Sequence, residues 1–597
     1  MEMAQERSKI DQKYKWDLNS IYSSEEEWQK SFENINKSLE DFKEYEGRVC
    51  ENGKTLLELL ELLETVMREF GKVISYAKLS SDEDRRNQEN QAMLTKARSL
   101  ASAVGGATSF VEPEIQKIGI AELELLLESG KKISHYDHYL REIIRVKDHV
   151  RSAEIESLLA EMGEIFSTPN EIYGLLMNAD MSFPKVKNKE GKMIEIGQVN
   201  FTKFMRDKNE NFREDVYQKY YGELGKFRNT IAAMLKNSVT ADVRISKAHN
   251  YQSSRNAAMD GGNIPTDVYD MLIDTIRSNL DVLYRHIELK RKSQQKNKLN
   301  MWDLYVPIAQ GESPNVEYKQ AIKYIVSSVE PLGQKYKMAL ENGIRSNWID
   351  VYENKGKYSG AYSGGTYDTK PFILMNYQND IQSMFTMAHE LGHSMHSKLT
   401  NESQSYIYSG YEIFVAEVAS IFNESLLTNY LLETIKDESF RLHVLDEAIE
   451  RFRSTLFRQT MFADFEHQIH TVVENGGALV PDRLDKIYRG LKEEFYKPVK
   501  MDDYIQREWM RIPHFYYNYY VYQYATGLSA AMALSKGVLS KENGALEKYI
   551  SFLKSGSSAH PLELLEKTGV DLRSKNPIEN AVEVYGKYLS EMELIIN

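Results

Sequence analysis

Apolar positions along this chain recur at three- and four-residue steps far more often than at every second one. The pattern predicts helices over most of its length. Ser23-Ser24-Glu25-Glu26-Glu27 reads as the start of the first, with Trp16-Asp17-Leu18 as an anchor before it. Leu56, Leu57, Leu59, Leu60, Leu62, Leu63 and Met67 share one apolar face. A charged connection over 80–89, a small-residue stretch over 101–107 and a short helix at 123–127, stopped near Gly130, continue the series. Over 182–199 the period changes. Apolar and polar residues alternate on both sides of Asn188-Lys189-Glu190-Gly191, which predicts a β-hairpin. The main boundary is expected here, giving an N-terminal helical domain over 1–200 that ends in the hairpin and a second domain over 201–597.

Helical periodicity returns over 212–250. Asn263-Ile264-Pro265 predicts the start of a helix running to about Ser293, with proline near its first turn. The stretch 301–307 reads as strand-like. A glycine-rich segment, 359–367, precedes a predicted strand at 371–377; it lacks the Lys-Ser/Thr of a phosphate loop, so that function is set aside. The strand leads into an amphipathic helix with Asp380 at its N-cap and Ile381, Met384, Phe385, Ala388, Leu391, Met395 and Leu399 in its apolar stripe. A strand in that place is expected to border a cleft and accept an extended peptide as one more strand. A further helix is predicted over 409–434.

The fold class expected is mostly α, with a small β-sheet beside the helix that follows 371–377. Composition changes this picture little: apolar residues make up 42% and charged residues 27%, with few glycines and prolines. The formal net charge of −13 argues against nucleic acid as a partner and supplies no basic stripe for a membrane surface. The single cysteine, Cys50, rules out an intramolecular disulfide and a thiolate-pair metal site. No signal-like h-region and no run of about 18 apolar residues occurs, so a cytoplasmic protein without an obligate protein partner is expected.

The chemistry starts at His389-Glu390-Leu391-Gly392-His393. Two histidines four apart on a helix project from one face and can share one metal ion. Glu390, beside His389, can hold the attacking water without ligating the metal. Gly392 is costly inside a helix and suggests a close backbone approach. For the third ligand, Glu417 stands inside the apolar run 413–422, where a carboxylate needs a cation. Zinc is the candidate, and Arg451 or Arg458 the structural alternative. Glu424, on the same helical face, can support a ligand histidine. Glu412 and His396 are the rival ligands, and His135 with His138 is a separate conceivable pair. Two histidines, a glutamate and an open position suit a hydrolytic zinc site. Residues 511–524 offer an oxyanion donor: His514 with Tyr517, or Tyr519 with Tyr522, would share faces of a helix.

With these motifs in hand the chain resembles the M3 family of zinc metallopeptidases, in its bacterial oligoendopeptidase F group. The His389–His393 motif, the stretch Phe414-Val415-Ala416-Glu417-Val418-Ala419-Ser420 and the tyrosine-rich run from Ile512 to Gly527 carry the resemblance. So do Lys15-Trp16-Asp17-Leu18 near the start and Pro561-Leu562-Glu563-Leu564-Leu565 near the end. It implies a two-lobed helical body with a deep channel, one Zn2+ per chain held by His389, His393 and Glu417, and Glu390 as general base. It also implies internal cleavage of short oligopeptides. His514 and Tyr522 map to the transition-state residues, with Tyr519 and Tyr517 as further candidates. The first 200 residues, which carry none of these groups, are expected to form a channel wall. Two alternatives stay open: a helical scaffold with structural zinc, and a zinc carboxypeptidase or dipeptidyl carboxypeptidase.

Overall fold

A computed structural model describes residues 5–188 and 191–596. Helices dominate. The first, α1 (Glu25–Ser38), begins at Ser24, whose hydroxyl accepts the Glu27 amide. Long helices α2 (Gly53–Glu83) and α3 (Gln88–Thr108) follow. Leu56, Leu59 and Leu60 of α2 are buried in one core with Trp28, Phe42 and Val73, while Leu57, Leu62, Leu63 and Met67 pack at its margin. The expected hairpin is present as β1 (Lys185–Lys187) paired antiparallel with β2 (Met193–Glu195). Lys189 and Glu190 of its turn lie outside the described residues.

Next come α4 (Arg228–Ala248) and α5 (Thr266–Arg277). The helix expected to run unbroken to Ser293 is instead two, because Asn279 leaves helical geometry (φ −122°, ψ 23°) before the helix resumes at Leu280. The strand-like stretch after Asn300 is a single tight turn. Asp303 accepts the Asn300 amide and is itself buried against Arg213 and Lys296, and this pairing curls the chain.

A three-stranded sheet contains β3 (Ile349–Asp350), β4 (Tyr362–Gly364) and β5 (Phe372–Leu374) in the order β3-β5-β4. β5 pairs parallel with β3 and antiparallel with β4 and is fully buried. This corrects one expectation. The strand within 371–377 is central, with both hydrogen-bonding edges occupied, and the outer strands are β3 and β4. Helices α6 (Ile381–Ser403) and α7 (Ile413–Thr434) follow directly, then α8 (Arg458–Glu474) and α9 (Tyr522–Leu539).

The chain divides into two compact units, each assembled from separated segments. One comprises Met1–Asp148, Pro314–Glu433 and Leu534–Gly569; the other comprises His149–Ser313, Thr434–Ala533 and Val570–Asn597. The change of pattern near residue 200 falls inside the second unit's first segment. Within the first unit, the sheet, α6 and α7 are contiguous in sequence. No helix among the described residues is long and apolar enough to cross a membrane.

Candidate metal centre

The Asp380 carboxylate accepts the Ser383 amide at 2.7 Å and so fixes the start of α6. Ile381, Met384, Phe385, Ala388, Leu391 and Met395 bury the apolar stripe. His389 and His393 then emerge one turn apart with their Nε2 atoms 3.2 Å from each other. Gly392 explains how a third ligand arrives. A β-carbon at that position would lie 2.6 Å from Ser420 Cα and 2.7 Å from the Ala419 carbonyl oxygen. Only glycine lets the α7 backbone come so near, and Glu417 stands one turn before Ser420 on α7.

Glu417 Oε2 lies 3.3 Å from His389 Nε2 and 3.6 Å from His393 Nε2. The Ser420 hydroxyl donates to the same oxygen at 3.1 Å. Metal–ligand bonds of about 2.0–2.2 Å in a tetrahedron separate ligand atoms by roughly 3.3–3.6 Å. The three atoms therefore fit one tetrahedral ion, and they form the one such His/Cys/Asp/Glu group among the described residues. About a quarter of the His389 and Glu417 side-chain surface is accessible (26% each), so the site is open on one side. Glu424 Oε1 accepts from His389 Nδ1 at 2.6 Å, which turns Nε2 toward Glu417.

The electrostatics favour a positive charge at this point. Burial works to lower the His389 pKa, but hydrogen bonds and charge from Glu417 and Glu424 overcome it and hold the imidazole up at about 10. Burial and the neighbouring His389 pull His393 down to about 4. Glu417 is held at about 2, because the two histidines outweigh the effect of burial. Glu390 is itself buried, and desolvation pushes its carboxyl up to about 7, against the opposing pull of His389 and the Ser363 amide. Ser363 belongs to β4, and its hydroxyl bonds Ser394 on α6 at 2.8 Å, tying this outer strand to the motif helix. No residue pattern in the sequence marks Ser363. Beside β4 opens a cavity of about 520 Å³ lined by Ser363, Gly364, Thr366, Ser397, Tyr406 and Tyr411.

The rival ligands lie elsewhere. His396 is buried, stacked on Tyr411 at 3.9 Å with Phe552 beyond. Glu412 is exposed and feels His560. His135 bonds Ser405, and His138 packs against His560. Arg458, the alternative partner for Glu417, pairs with Glu508 at 2.9 Å in the second unit.

His514, Tyr517, Tyr519 and Tyr522 belong to the second unit. Their stretch is not one helix. A 3-10 turn over Pro513–Tyr516 gives way to Asn518 and Tyr519 in left-handed conformation (φ 40° and 57°), and α9 starts only at Tyr522. Tyr519 and Tyr522 are therefore turned inward, 1% and 2% exposed, with both rings against Tyr269. The rings gathered around His514 are those of Tyr517, Tyr520 and Tyr524, at centroid distances of 5.6, 6.2 and 6.0 Å. The Tyr524 hydroxyl is 3.5 Å from His514 Nε2. Sequence reasoning left out Tyr520 and Tyr524, although they stand three and seven residues after Tyr517 on one helical face; that spacing, with an asparagine at 518 tolerant of left-handed backbone, was the available signal.

The profile of Peptidase family M3 matches residues 203–584, and that of Oligopeptidase F matches residues 114–183. Oligopeptidase PepF of Bacillus subtilis is 40% identical over 99% of this chain and 88% of its own length. Group B oligopeptidase PepB of Streptococcus agalactiae is 37% identical over 100% of this chain and 99% of its own. The crystal structure of oligoendopeptidase-F from Enterococcus faecium superposes with a TM-score of 0.76 at 34% identity, covering 96% of this chain and 99% of that one. A structure from Chlamydophila abortus superposes with a TM-score of 0.91 at 32% identity, covering 99% and 100%.

Proposed function

The chain belongs to peptidase family M3, and on that premise we propose that it is a zinc-dependent endopeptidase that cuts internal bonds of short, unstructured oligopeptides in the cytoplasm. The observation that carries the reading is the convergence of His389 Nε2, His393 Nε2 and Glu417 Oε2 within 3.6 Å of one another, beside the buried Glu390. The two-nitrogen, one-oxygen donor set suits zinc in a hydrolytic site. A structural zinc takes four protein ligands, and only three are grouped here among the described residues, which weighs against a scaffold.

When bound, the ion would supply a Lewis acid that polarises the scissile carbonyl and lowers the pKa of water to about 7. Glu390 takes the proton of the attacking water and delivers it to the leaving amine. Its elevated pKa places it near the operating range of a general base. The peptide pairs its main chain with the outer strand β4, and the cavity beside that strand receives a side chain. His514 and a tyrosine donate to the developing oxyanion. Burial of Tyr522 favours assigning that tyrosine role to Tyr524, with Tyr517 and Tyr520 next to it.

The test is mass spectrometry of products from a terminally blocked oligopeptide, with and without a chelator and with zinc restored. Internal cuts that vanish with chelation support the proposal. Trimming confined to free C-termini would establish a carboxypeptidase, and one zinc per chain without hydrolysis a scaffold. Comparing Tyr524→Phe with Tyr522→Phe separates the donors: a loss of about 10²–10³ in kcat is expected for the first alone.

A further inference from the structure

The second unit contains a buried carboxylate that the mechanism does not use. Glu466, on α8, is fully buried, and its Oε1 accepts the backbone amide of Tyr519 at 2.7 Å. Tyr519 and Asn518 are consecutive residues with left-handed backbone, an uphill conformation for side chains with a β-carbon. We propose that Glu466 is a positioning residue that holds this reversal and thereby sets His514 and Tyr517, before it, against Tyr520 and Tyr524, after it. The inference rests on the reading that these groups act on the transition state.

The surroundings fit a fixed anchor. His470, one turn along α8, bonds the Glu466 carbonyl through Nδ1 at 2.8 Å and faces Asp242 of α4 through Nε2 at 3.4 Å. Its ring packs on the Tyr519 ring at 4.7 Å. Tyr269 of α5, tied to the Ala463 carbonyl at 2.6 Å, closes the other side against Tyr519 and Tyr522. Tyr519 is thus gripped through its backbone by α8 and through its ring by α8 and α5. The chain on either side bends back so that Tyr524 reaches His514. A reversal of this kind needs an acceptor aimed at its amide, and a carboxylate held on a helix supplies a more rigid one than water does.

Three variants of the full chain test this. Glu466→Gln keeps the acceptor, Glu466→Met removes it at similar volume, and Glu466→Asp keeps the carboxyl group but falls one methylene short. If Met does not fold, Asp carries the comparison. Hydrogen–deuterium exchange over 515–524 should be unchanged in Gln and at least tenfold faster in Met or Asp. In those two kcat should drop tenfold or more, while KM stays within about twofold and metal content is unaltered. Adding Tyr524→Phe to Met or Asp should cost less than the two losses multiplied, because the Tyr524 hydroxyl is among the groups that Glu466 positions. Unchanged exchange in Met and Asp, or fast exchange with wild-type kcat, overturns the proposal, as does a Gln variant as impaired as Met. Wild-type kcat in Tyr517→Phe, Tyr520→Phe and Tyr524→Phe alike would instead overturn the underlying reading, independently of the exchange result.

Discussion

Gly392→Ala isolates the helix crossing that brings the three candidate metal ligands together. The new β-carbon would stand 2.6 Å from Ser420 Cα, about 1 Å inside the optimum of roughly 3.5–4.0 Å for two carbons. The obstacle is backbone, so no side-chain rotation relieves it. Either α7 retreats by ~1 Å or the overpacked crossing is kept at a cost of about 1–3 kcal/mol. Alanine also gains about 1 kcal/mol over glycine within a helix, so the metal-free protein should lose little stability. Metal binding is different, since ligand distances tolerate only about ±0.2 Å and Glu417 travels with Ser420. If loading the metal must restore the crossing, the same 1–3 kcal/mol weakens binding by roughly 5- to 150-fold. The assay is metal retention against a graded chelator, with melting temperatures measured in excess chelator. Gly222→Ala is the control, because its β-carbon meets nothing within 4 Å; it should leave metal affinity alone. Wild-type metal affinity in Gly392→Ala would refute the idea that backbone proximity places the third ligand.

Glu390→Gln should retain metal while turnover falls by about 10²–10⁴; near-normal turnover in protein free of contaminating peptidase excludes the base role. Glu424→Ala frees His389 Nδ1 and is expected to weaken metal binding about 10- to 100-fold, measured by the same chelator titration, with no change meaning that Glu424 does not orient the ligand. Stability should carry a pH signature at His560, whose Nε2 lies 3.1 Å from Glu142. Burial would raise the Glu142 carboxyl, but His560 and Arg145 outweigh it and hold the pKa at about 2, so this contribution is present above 4.5 and lost as pH falls through 2. Glu142 raises His560 from 6.5, so that contribution is present below 6.5 and lost as pH climbs through the raised value. The melting penalty of His560→Ala should therefore peak between pH 4.5 and 6.5; a penalty flat across that window and beyond refutes the coupling. In a length series built around one scissile sequence, cleavage should fall with chain length, and efficient digestion of casein would contradict the restriction to oligopeptides.

The grouping of His389, His393 and Glu417 was legible because its information is local. Two histidines four apart need only a helix to converge, and a glutamate among Phe414, Val415, Val418 and Ala419 announces a buried partner. Gly392 signalled a close approach without naming what approaches. The failures share a cause in contacts distant along the chain. The stretch after Asn300 looked like a strand because its turn is enforced by Arg213 and Lys296. The central position of β5 depends on β3, which no periodicity within 371–377 reveals. Among the tyrosines, spacing counted on a continuous helix, whereas two left-handed residues reset the phase, and the acceptor that sustains them lies on α8.

The first unit's discontinuity has a consequence for how the chain is made. His389, His393 and Glu417 lie within one short segment, yet the unit that holds them is completed by Leu534–Gly569. From that late segment the Leu553 carbonyl receives the Thr400 hydroxyl at 2.9 Å, and Ser535 meets Ser425 at 2.9 Å. A chain growing from its N-terminus reaches these contacts only after residues 514–524 have already been synthesised. A chain terminated before residue 534 carries all three candidate ligands but lacks the segment that completes the unit around them, so that unit can fold as a whole only once synthesis is nearly finished.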